Sequence, residues 1–274
     1  MSVQSAGSGR GVTTTTLREM KRRGEKIAAL TAYDYLFARL VDEAGTDVVL
    51  VGDSLAQVVL GYDSTLPVTL DDMIHHARAV RRGVRRALLV VDLPFLTYQV
   101  SPEDAIRNAG RVLKETGAAA VKLEGGSPEI ADTIRALVRV GIPVMAHLGF
   151  TPQSVNTIGT RVQGREEGGR ERLLAEARAV EEAGAFAVVL ELVPGPIAAA
   201  VTESVSIPTI GIGAGAGCDG QVLVLHDMLG LNEGFTPRFL RRFGELGDAT
   251  RAAVGDYVGA VRSGEYPAAE HTFE

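Results

Sequence analysis

Eight short apolar segments recur along the whole chain, and this recurrence limits the possible folds more than any other feature. Each segment is too short for a buried helix and is rich in Val, Ile and Leu. Their apolar character is continuous rather than alternating, which indicates burial on both faces, as in a parallel sheet covered by helices. The segments occupy residues 26–34, 47–54, 87–95, 119–126, 142–150, 186–195, 207–215 and 222–229.

Amphipathic stretches with helix start and stop signals separate most of these segments. Ser101-Pro102 and Ser127-Pro128 each supply an N-cap serine followed by proline at the first helical position, with acidic residues in the first turn. Glycine stands where a helix should stop before the next strand, at Gly45, Gly117, Gly141 and Gly184. The repeating unit is therefore a strand followed by a helix.

Eight such units in about 250 residues favour a closed (β/α)8 TIM barrel over an open doubly wound sheet, which usually has fewer strands. The crossover from Gly215 to Val222 is too short for a full helix, so we expect a turn or a single helical turn there. Residues 1–16 are expected to form a flexible tail. Thr16 or a neighbouring threonine should cap a helix that precedes the first strand, and residues 17–274 should form a single catalytic barrel domain.

Composition excludes several functional classes. There are 28 basic and 34 acidic side chains, giving a net charge of −6, so neither nucleic acid nor an anionic membrane is an expected partner. No apolar run approaches the roughly 18 residues that span a bilayer. The single cysteine, Cys218, cannot form an intramolecular disulfide, and the polar N-terminus lacks the pattern of a signal peptide. We therefore expect a cytoplasmic enzyme acting on small molecules.

The active site of such a barrel lies at the carboxyl ends of its strands. Polar residues collect at those ends in this sequence, and buried charges must be paired or hold a metal. They are Asp53, Ser54, Asp92, Lys122, Glu124, His147, Glu191, His226 and Asp227.

Three carboxylates, Asp53, Asp92 and Glu124, would offer hard oxygen ligands of the kind that Mg2+ prefers, and the sequence has no Cys/His spacing typical of zinc. A cation held there would chelate a 2-oxo acid and neutralise the negative charge that develops on enolisation. Lys122 would add a second positive contact. Glu191 is the natural base, since burial raises a carboxylate pKa towards neutrality.

Structural alternatives exist for most of these residues. Asp53 could cap a following helix instead of binding a ligand. Lys122 and Glu124 point to the same side of one strand and could form a plain interior salt bridge. His147 could be a core histidine or a substrate contact, and the sequence leaves both possibilities open. His226 and Asp227 are more readily interpreted as structural.

Several longer motifs, in a fixed order over almost the whole chain, resemble the ketopantoate hydroxymethyltransferase family. They are VGDSLAQVVLGYDSTLPVTLDDM (51–73), VVDLPF (90–95), VKLEGG (121–126), AHLGFTPQSVN (146–156), VQGR (162–165), ELVPG (191–195), IGIGAGAGCDGQVLVLHDMLG (210–230) and YPAAEH (266–271).

The resemblance implies a Mg2+-dependent barrel enzyme of pantothenate biosynthesis that moves a hydroxymethyl group from 5,10-methylenetetrahydrofolate to 3-methyl-2-oxobutanoate. It also implies a homo-oligomer, typically a decamer. Metal-dependent lyases or aldolases of 2-oxo or 2-hydroxy acids on related barrels are the alternative, and they would need no folate.

The resemblance further assigns roles to individual residues. It places metal ligands at Asp53 and Asp92, a metal-associated carboxylate at Glu124 and the proton acceptor at Glu191. The substrate-binding positions that it implies are Asp53, Ser54, Asp92, Lys122 and His147.

Overall fold

Eight parallel strands form a closed barrel in the computed structural model, which describes residues 11–273. Each strand is hydrogen-bonded to its neighbours in chain order, and the last strand pairs with the first. The predicted TIM barrel is thus confirmed. The strands are β1 (Ile27–Thr31), β2 (Val48–Val51), β3 (Leu88–Asp92), β4 (Ala120–Glu124), β5 (Val144–Gly149), β6 (Ala187–Glu191), β7 (Thr209–Ile212) and β8 (Gly220–Leu223).

Helices precede the barrel and connect most of its strands. A 3-10 turn, Pro152–Ser154, follows β5. The α-helices of this part of the chain are α1 (Thr14–Arg23), α2 (Tyr35–Glu43), α3 (Leu55–Val58), α4 (Leu70–Gly83), α5 (Pro102–Thr116), α6 (Pro128–Arg139), α7 (Val155–Ile158), α8 (Gly169–Glu182) and α9 (Gly195–Ser204).

The barrel interior is filled by side chains that alternate along the strands. Inward-facing residues from all eight strands belong to one buried apolar cluster, because alternate strand residues share a face. The strand residues of the cluster are Ile27, Ala29, Val48, Leu50, Leu88, Val90, Ala120, Met145, Ala187, Val189, Ile210 and Val222. Packing therefore closes the interior, and polar groups are left for the strand ends.

Helix α1 closes the amino end of the barrel. Leu17 is fully buried in the interior cluster, and Val12 and Met20 pack against it. The Lys21 ammonium donates to the carbonyls of Thr202 and Ile207, which lie before β7. This helix holds the barrel at the end opposite the carboxyl ends of the strands.

The predicted tail of residues 1–16 overlaps the first helix. Helix α1 begins at Thr14, and its cap is Thr13, whose hydroxyl accepts a hydrogen bond from the Thr16 N–H. Val12 is also held, since its N–H donates to the carbonyl of Arg86 at 2.7 Å. Residues 1–10 of the expected tail lie outside the described residues.

The β7–β8 crossover contains no helix, which agrees with the prediction of no full helix there. The last strand was misplaced, however, because β8 begins at Gly220 and ends at Leu223. His226 and Asp227 therefore do not end a strand. They lie in a four-residue helix, α10 (Leu225–Met228), where Asp227 accepts a hydrogen bond from the Asn232 side chain at 2.9 Å.

The chain divides into two compact units, Met1–Val224 and Leu225–Glu274, where one domain was expected over 17–274. The second unit contains α10, the long helix α11 (Leu246–Ser263) and a 3-10 turn at Ala269–His271. None of the helices described between residues 11 and 273 is both long and apolar enough to cross a membrane.

Candidate active site

Seven of the predicted site residues lie at the carboxyl ends of five consecutive strands. Asp53 and Ser54 follow β2, Asp92 ends β3, Lys122 and Glu124 belong to β4, His147 to β5 and Glu191 to β6. Strand register places them side by side, because Asp92 is opposite Lys122 and Glu124 is opposite His147. Side chains far apart in sequence are thereby brought to one mouth of the barrel.

Lys122 is the cation of this cluster. Its ammonium lies 3.3 Å from Asp92 Oδ1 and 3.2 Å from His147 Nδ1. It pairs with Asp92 on the neighbouring strand, so the predicted alternative of a salt bridge with Glu124 on its own strand is not what forms. The Lys122 side chain is only 5% exposed. A buried positive charge of this kind is stable only when it is paired with a negative one.

His147 lies between Lys122 and the predicted base. Its Nε2 atom is 3.2 Å from Glu191 Oε2, and its Nδ1 atom is 3.6 Å from Glu124 Oε1. Burial, and then the positive charge of Lys122, lower the pKa of His147 well below its ordinary value. The ring is therefore neutral at physiological pH.

Burial shifts the carboxyl groups in the opposite direction. It raises the pKa of Glu191 to about 7, against a smaller lowering by Lys122. Burial likewise raises the pKa of Asp92 to about 7 and holds that of Glu124 well above its usual range. The pKa of Lys122 is raised because Asp92, Glu124 and Asp53 together outweigh the effect of its burial.

Glu191 differs from the other carboxylates in its access to solvent. Its side chain is 18% exposed, whereas those of Asp92 and Glu124 are 4% and 2% exposed. A pKa near 7 on a carboxylate that a ligand can reach is suited to proton abstraction at neutral pH.

Asp53 and Ser54 do not cap the helix that follows them. Ser54 precedes α3 and makes no capping hydrogen bond, and its hydroxyl lies 2.8 Å from the Tyr33 hydroxyl. The Asp53 backbone N–H donates to Asp92 Oδ2 at 3.0 Å, which ties the end of β2 to the end of β3. The capping alternative for Asp53 is therefore excluded by its contacts.

The chemistry of the donor set is compatible with a divalent cation. Asp92 Oδ1 and Glu124 Oε1 are fully buried and accept no hydrogen bond from the described residues. Within residues 11–273, no three His, Cys, Asp or Glu side chains form a ready metal cage. Mg2+ needs only one or two protein carboxylates, because water and substrate complete its coordination.

Two residues of the site were missed from sequence. Gln153 and Tyr98 are both buried, and Gln153 donates through its amide to Asp53 Oδ2 and through its backbone to Glu124 Oε2. Gln153 lies only four residues beyond β5, so the strand-end argument applied to the following turn would have found it. The contact with Tyr98 joins two loops and has no local signal in the sequence.

Comparison with known proteins defines the family. Residues 11–269 match the sequence model described as ketopantoate hydroxymethyltransferase. The chain belongs to the ketopantoate hydroxymethyltransferase family. The predicted resemblance is thereby confirmed, together with the enzyme class, a hydroxymethyltransferase.

Two curated members of the family are similar to the chain over nearly its whole length. The 3-methyl-2-oxobutanoate hydroxymethyltransferase of Syntrophus aciditrophicus (strain SB) is 56% identical over 274 residues, covering 100% of each chain. The protein of the same name from Chloroflexus aurantiacus (strain ATCC 29366 / DSM 635 / J-10-fl) is 59% identical, covering 95% of this chain and 92% of its own.

Solved structures show the same fold at much lower identity. A phosphonopyruvate hydrolase in complex with oxalate and Mg++ aligns with a TM-score of 0.62 at 14% identity, covering 95% of this chain and 93% of its own. A 2,3-dimethylmalate lyase of the PEP mutase/isocitrate lyase superfamily gives 0.59 at 21% identity, covering 95% and 92%. These likenesses concern the barrel alone.

Proposed function

We propose that this enzyme transfers a hydroxymethyl group from 5,10-methylenetetrahydrofolate to 3-methyl-2-oxobutanoate, giving ketopantoate and tetrahydrofolate for pantothenate biosynthesis. The observation that carries the proposal is the arrangement of a partly exposed Glu191 opposite the buried set of Lys122, Asp92 and Glu124, in a chain of this family. A base on one side and a positively charged, carboxylate-rich pocket on the other are what enolisation of a 2-oxo acid requires.

Glu191 takes the proton from C3 of the oxo acid. Its raised pKa makes it a stronger base than an exposed glutamate while leaving a substantial ionised fraction at neutral pH. The Lys122 ammonium contacts the oxygen on which negative charge develops, and His147 separates the base from that ammonium. Asp53, Ser54 and Asp92 complete the substrate pocket.

A Mg2+ ion would be held by Asp53 and Asp92 with Glu124 beside it, and it would supply further neutralisation of the developing charge. The buried oxygens Asp92 Oδ1 and Glu124 Oε1, which accept no hydrogen bond from the described residues, support this assignment. Carbon–carbon bond formation between C3 and the one-carbon unit, with a hydroxyl oxygen from water, completes the balance with tetrahydrofolate as the second product.

The test follows the C3 proton of 3-methyl-2-oxobutanoate by NMR in heavy water containing Mg2+, with and without methylenetetrahydrofolate. We expect loss of the C3 signal, and new hydroxymethyl signals only with the folate. Cleavage of a 2-oxo or 2-hydroxy acid without folate would favour the lyase alternative. If the C3 proton does not exchange and no product forms, the proposed substrate is wrong.

Two expectations stay predictions: the cytoplasmic location, and a homo-oligomer of the decameric kind that the family resemblance implies. Size-exclusion chromatography with light scattering measures the oligomeric state directly. A monomer at working concentration would contradict the predicted homo-oligomer.

A further inference from the structure

Gln153 connects two carboxylates that approach the site from different strands. Its side-chain N–H donates to Asp53 Oδ2 at 2.9 Å, and its backbone N–H donates to Glu124 Oε2 at 3.0 Å. Asp53 follows β2 and Glu124 ends β4, so one residue holds an oxygen of each. At 5% exposure, Gln153 is itself buried.

The orientation of the Gln153 amide is fixed by the Leu93 carbonyl, which cannot donate a hydrogen bond. Its NH2 group also donates to the Leu93 carbonyl at 3.0 Å, and a carbonyl only accepts. Its oxygen accepts from the Tyr98 hydroxyl at 2.8 Å and from the Gln99 side chain at 3.1 Å. A flipped amide would place oxygen against the Leu93 carbonyl, so the nitrogen must face Asp53.

Tyr98 holds this amide from the other side. Its hydroxyl oxygen accepts the backbone N–H of Glu124 at 3.0 Å, and its own proton donates to Gln153 Oε1 at 2.8 Å, which is nearer than the alternative acceptor, the Glu124 carbonyl at 3.3 Å. Burial raises the pKa of Tyr98 well above its ordinary value, which keeps that proton in place. All the hydrogen-bonding groups of the Gln153 amide are thereby satisfied.

For Glu124, this contact fixes which of its two carboxylate oxygens stays open to a ligand. Glu124 Oε2 is occupied by Gln153, while Oε1 is buried and accepts no hydrogen bond from the described residues. A carboxylate free to rotate could offer either oxygen and would lose rotational freedom on binding a ligand. Groups that hold the ligands of a cation in this way typically change its affinity by 10- to 100-fold when mutated.

We propose that Gln153 is a positioning residue that orients Asp53 and Glu124 for a divalent cation, with Tyr98 fixing its amide. The inference rests on the proposed function, because the cation belongs to that function. It adds a residue that acts on the cation through the two carboxylates that it holds.

The test measures Mn2+ binding by electron paramagnetic resonance and Mg2+ binding by calorimetry, on the full chain and on Gln153→Met. Methionine keeps the length and the backbone N–H but removes the amide. We expect affinity for both ions to fall by about 10-fold or more. Turnover should recover as Mg2+ is raised, so the effect appears in the activation constant of the cation rather than in kcat.

Two further variants separate positioning from folding. Gln163→Met is the matched control, since Gln163 is equally buried and, among residues 11–273, its amide donates to the Arg161 carbonyl and to no carboxylate. Its cation affinity should equal that of the unmodified chain. Tyr98→Phe keeps the ring and removes only the hydroxyl that orients the amide, and we expect a weaker loss in the same direction, not additive with Gln153→Met.

The measurements distinguish a failure of the positioning role of Gln153 from a failure of the proposed function. Unchanged cation affinity in Gln153→Met, with the unmodified chain binding normally, overturns the inference and leaves the function standing. Should Gln153→Met not fold, unchanged affinity in Tyr98→Phe overturns it equally. An unmodified chain that binds neither ion overturns both the cation site and the role of Gln153.

Discussion

The two nitrogens of His147 face different partners, and this determines where its proton lies. The ring is neutral, and the Lys122 ammonium beside Nδ1 only donates, so Nδ1 accepts and the proton is on Nε2. That N–H faces Glu191 Oε2 at 3.2 Å. Although the two atoms are close, His147 Nε2 forms no hydrogen bond with the described residues, so the Glu191 carboxylate remains available to a substrate.

Removal of the base should affect turnover far more than folding. Glu191→Gln keeps the shape of the side chain but cannot take a proton, so kcat should fall by about 10^2-fold or more. Steady-state kinetics measure this, and Glu203→Gln, an exposed position in α9, serves as the control. Near-normal turnover of Glu191→Gln would disprove the assignment.

The pH profile should report the same group. Burial raises the pKa of Glu191 to about 7, and the base must be ionised to act, so kcat/KM should decrease as pH falls through about 7. The sign follows because protonation below the pKa removes the base. A profile that stays flat across this pH would contradict a role for Glu191 as the base.

At the scale of single elements, the sequence predicted the starts of helices more accurately than the ends of strands. Ser101 and Ser127 cap α5 and α6, each followed by proline in the first turn. These signals are local, so a few residues suffice to predict them. The caps of α2 and α4, Asp34 and Thr69, follow the same chemistry. Strand ends were harder to place, as the shift of β8 shows, because pairing with β1 and β7 sets them.

Loss of one cap should destabilise the barrel measurably. The Ser101 hydroxyl accepts the Asp104 N–H at 3.1 Å, so Ser101→Ala should lower the free energy of unfolding by about 1 kcal/mol. Ser101→Gly should lower the free energy of unfolding by only about a few tenths of a kcal/mol, since glycine tolerates the cap geometry. Urea titrations of both variants check the order, and equal losses would show that the cap contributes little.

At the scale of the whole molecule, the barrel and its polar mouth followed from repetition in the sequence. Eight continuous apolar segments predicted eight buried parallel strands, and closure then placed Asp53, Asp92, Lys122, Glu124 and Glu191 together. Contacts between loops were not predictable, as with the hydrogen bond from Tyr98 to Gln153, because they depend on how distant segments pack. The division of the chain after Val224 also lacked a signal, since no Pro/Gly-rich linker marks it.

The N-terminal helix should matter for stability and not for chemistry. Leu17 fills the amino end of the barrel, so Leu17→Ala should leave a cavity and lower the free energy of unfolding by about 2–5 kcal/mol. Leu36→Ala, at a side chain that is 59% exposed, should stay within about 0.5 kcal/mol. Chemical denaturation measures both. A loss of kcat in folded Leu17→Ala would contradict the separation of the two barrel ends.

Closure of the barrel also has a consequence during synthesis on the ribosome. Ala29 of β1 pairs with Val222 of β8, so the sheet cannot close until almost the whole barrel unit has left the exit tunnel. Until then β1 and the newest strand both present unpaired backbone, which is the kind of edge that recruits other chains. We therefore expect the nascent chain to depend on chaperones until its last strand emerges, whereas the finished barrel has no open edge.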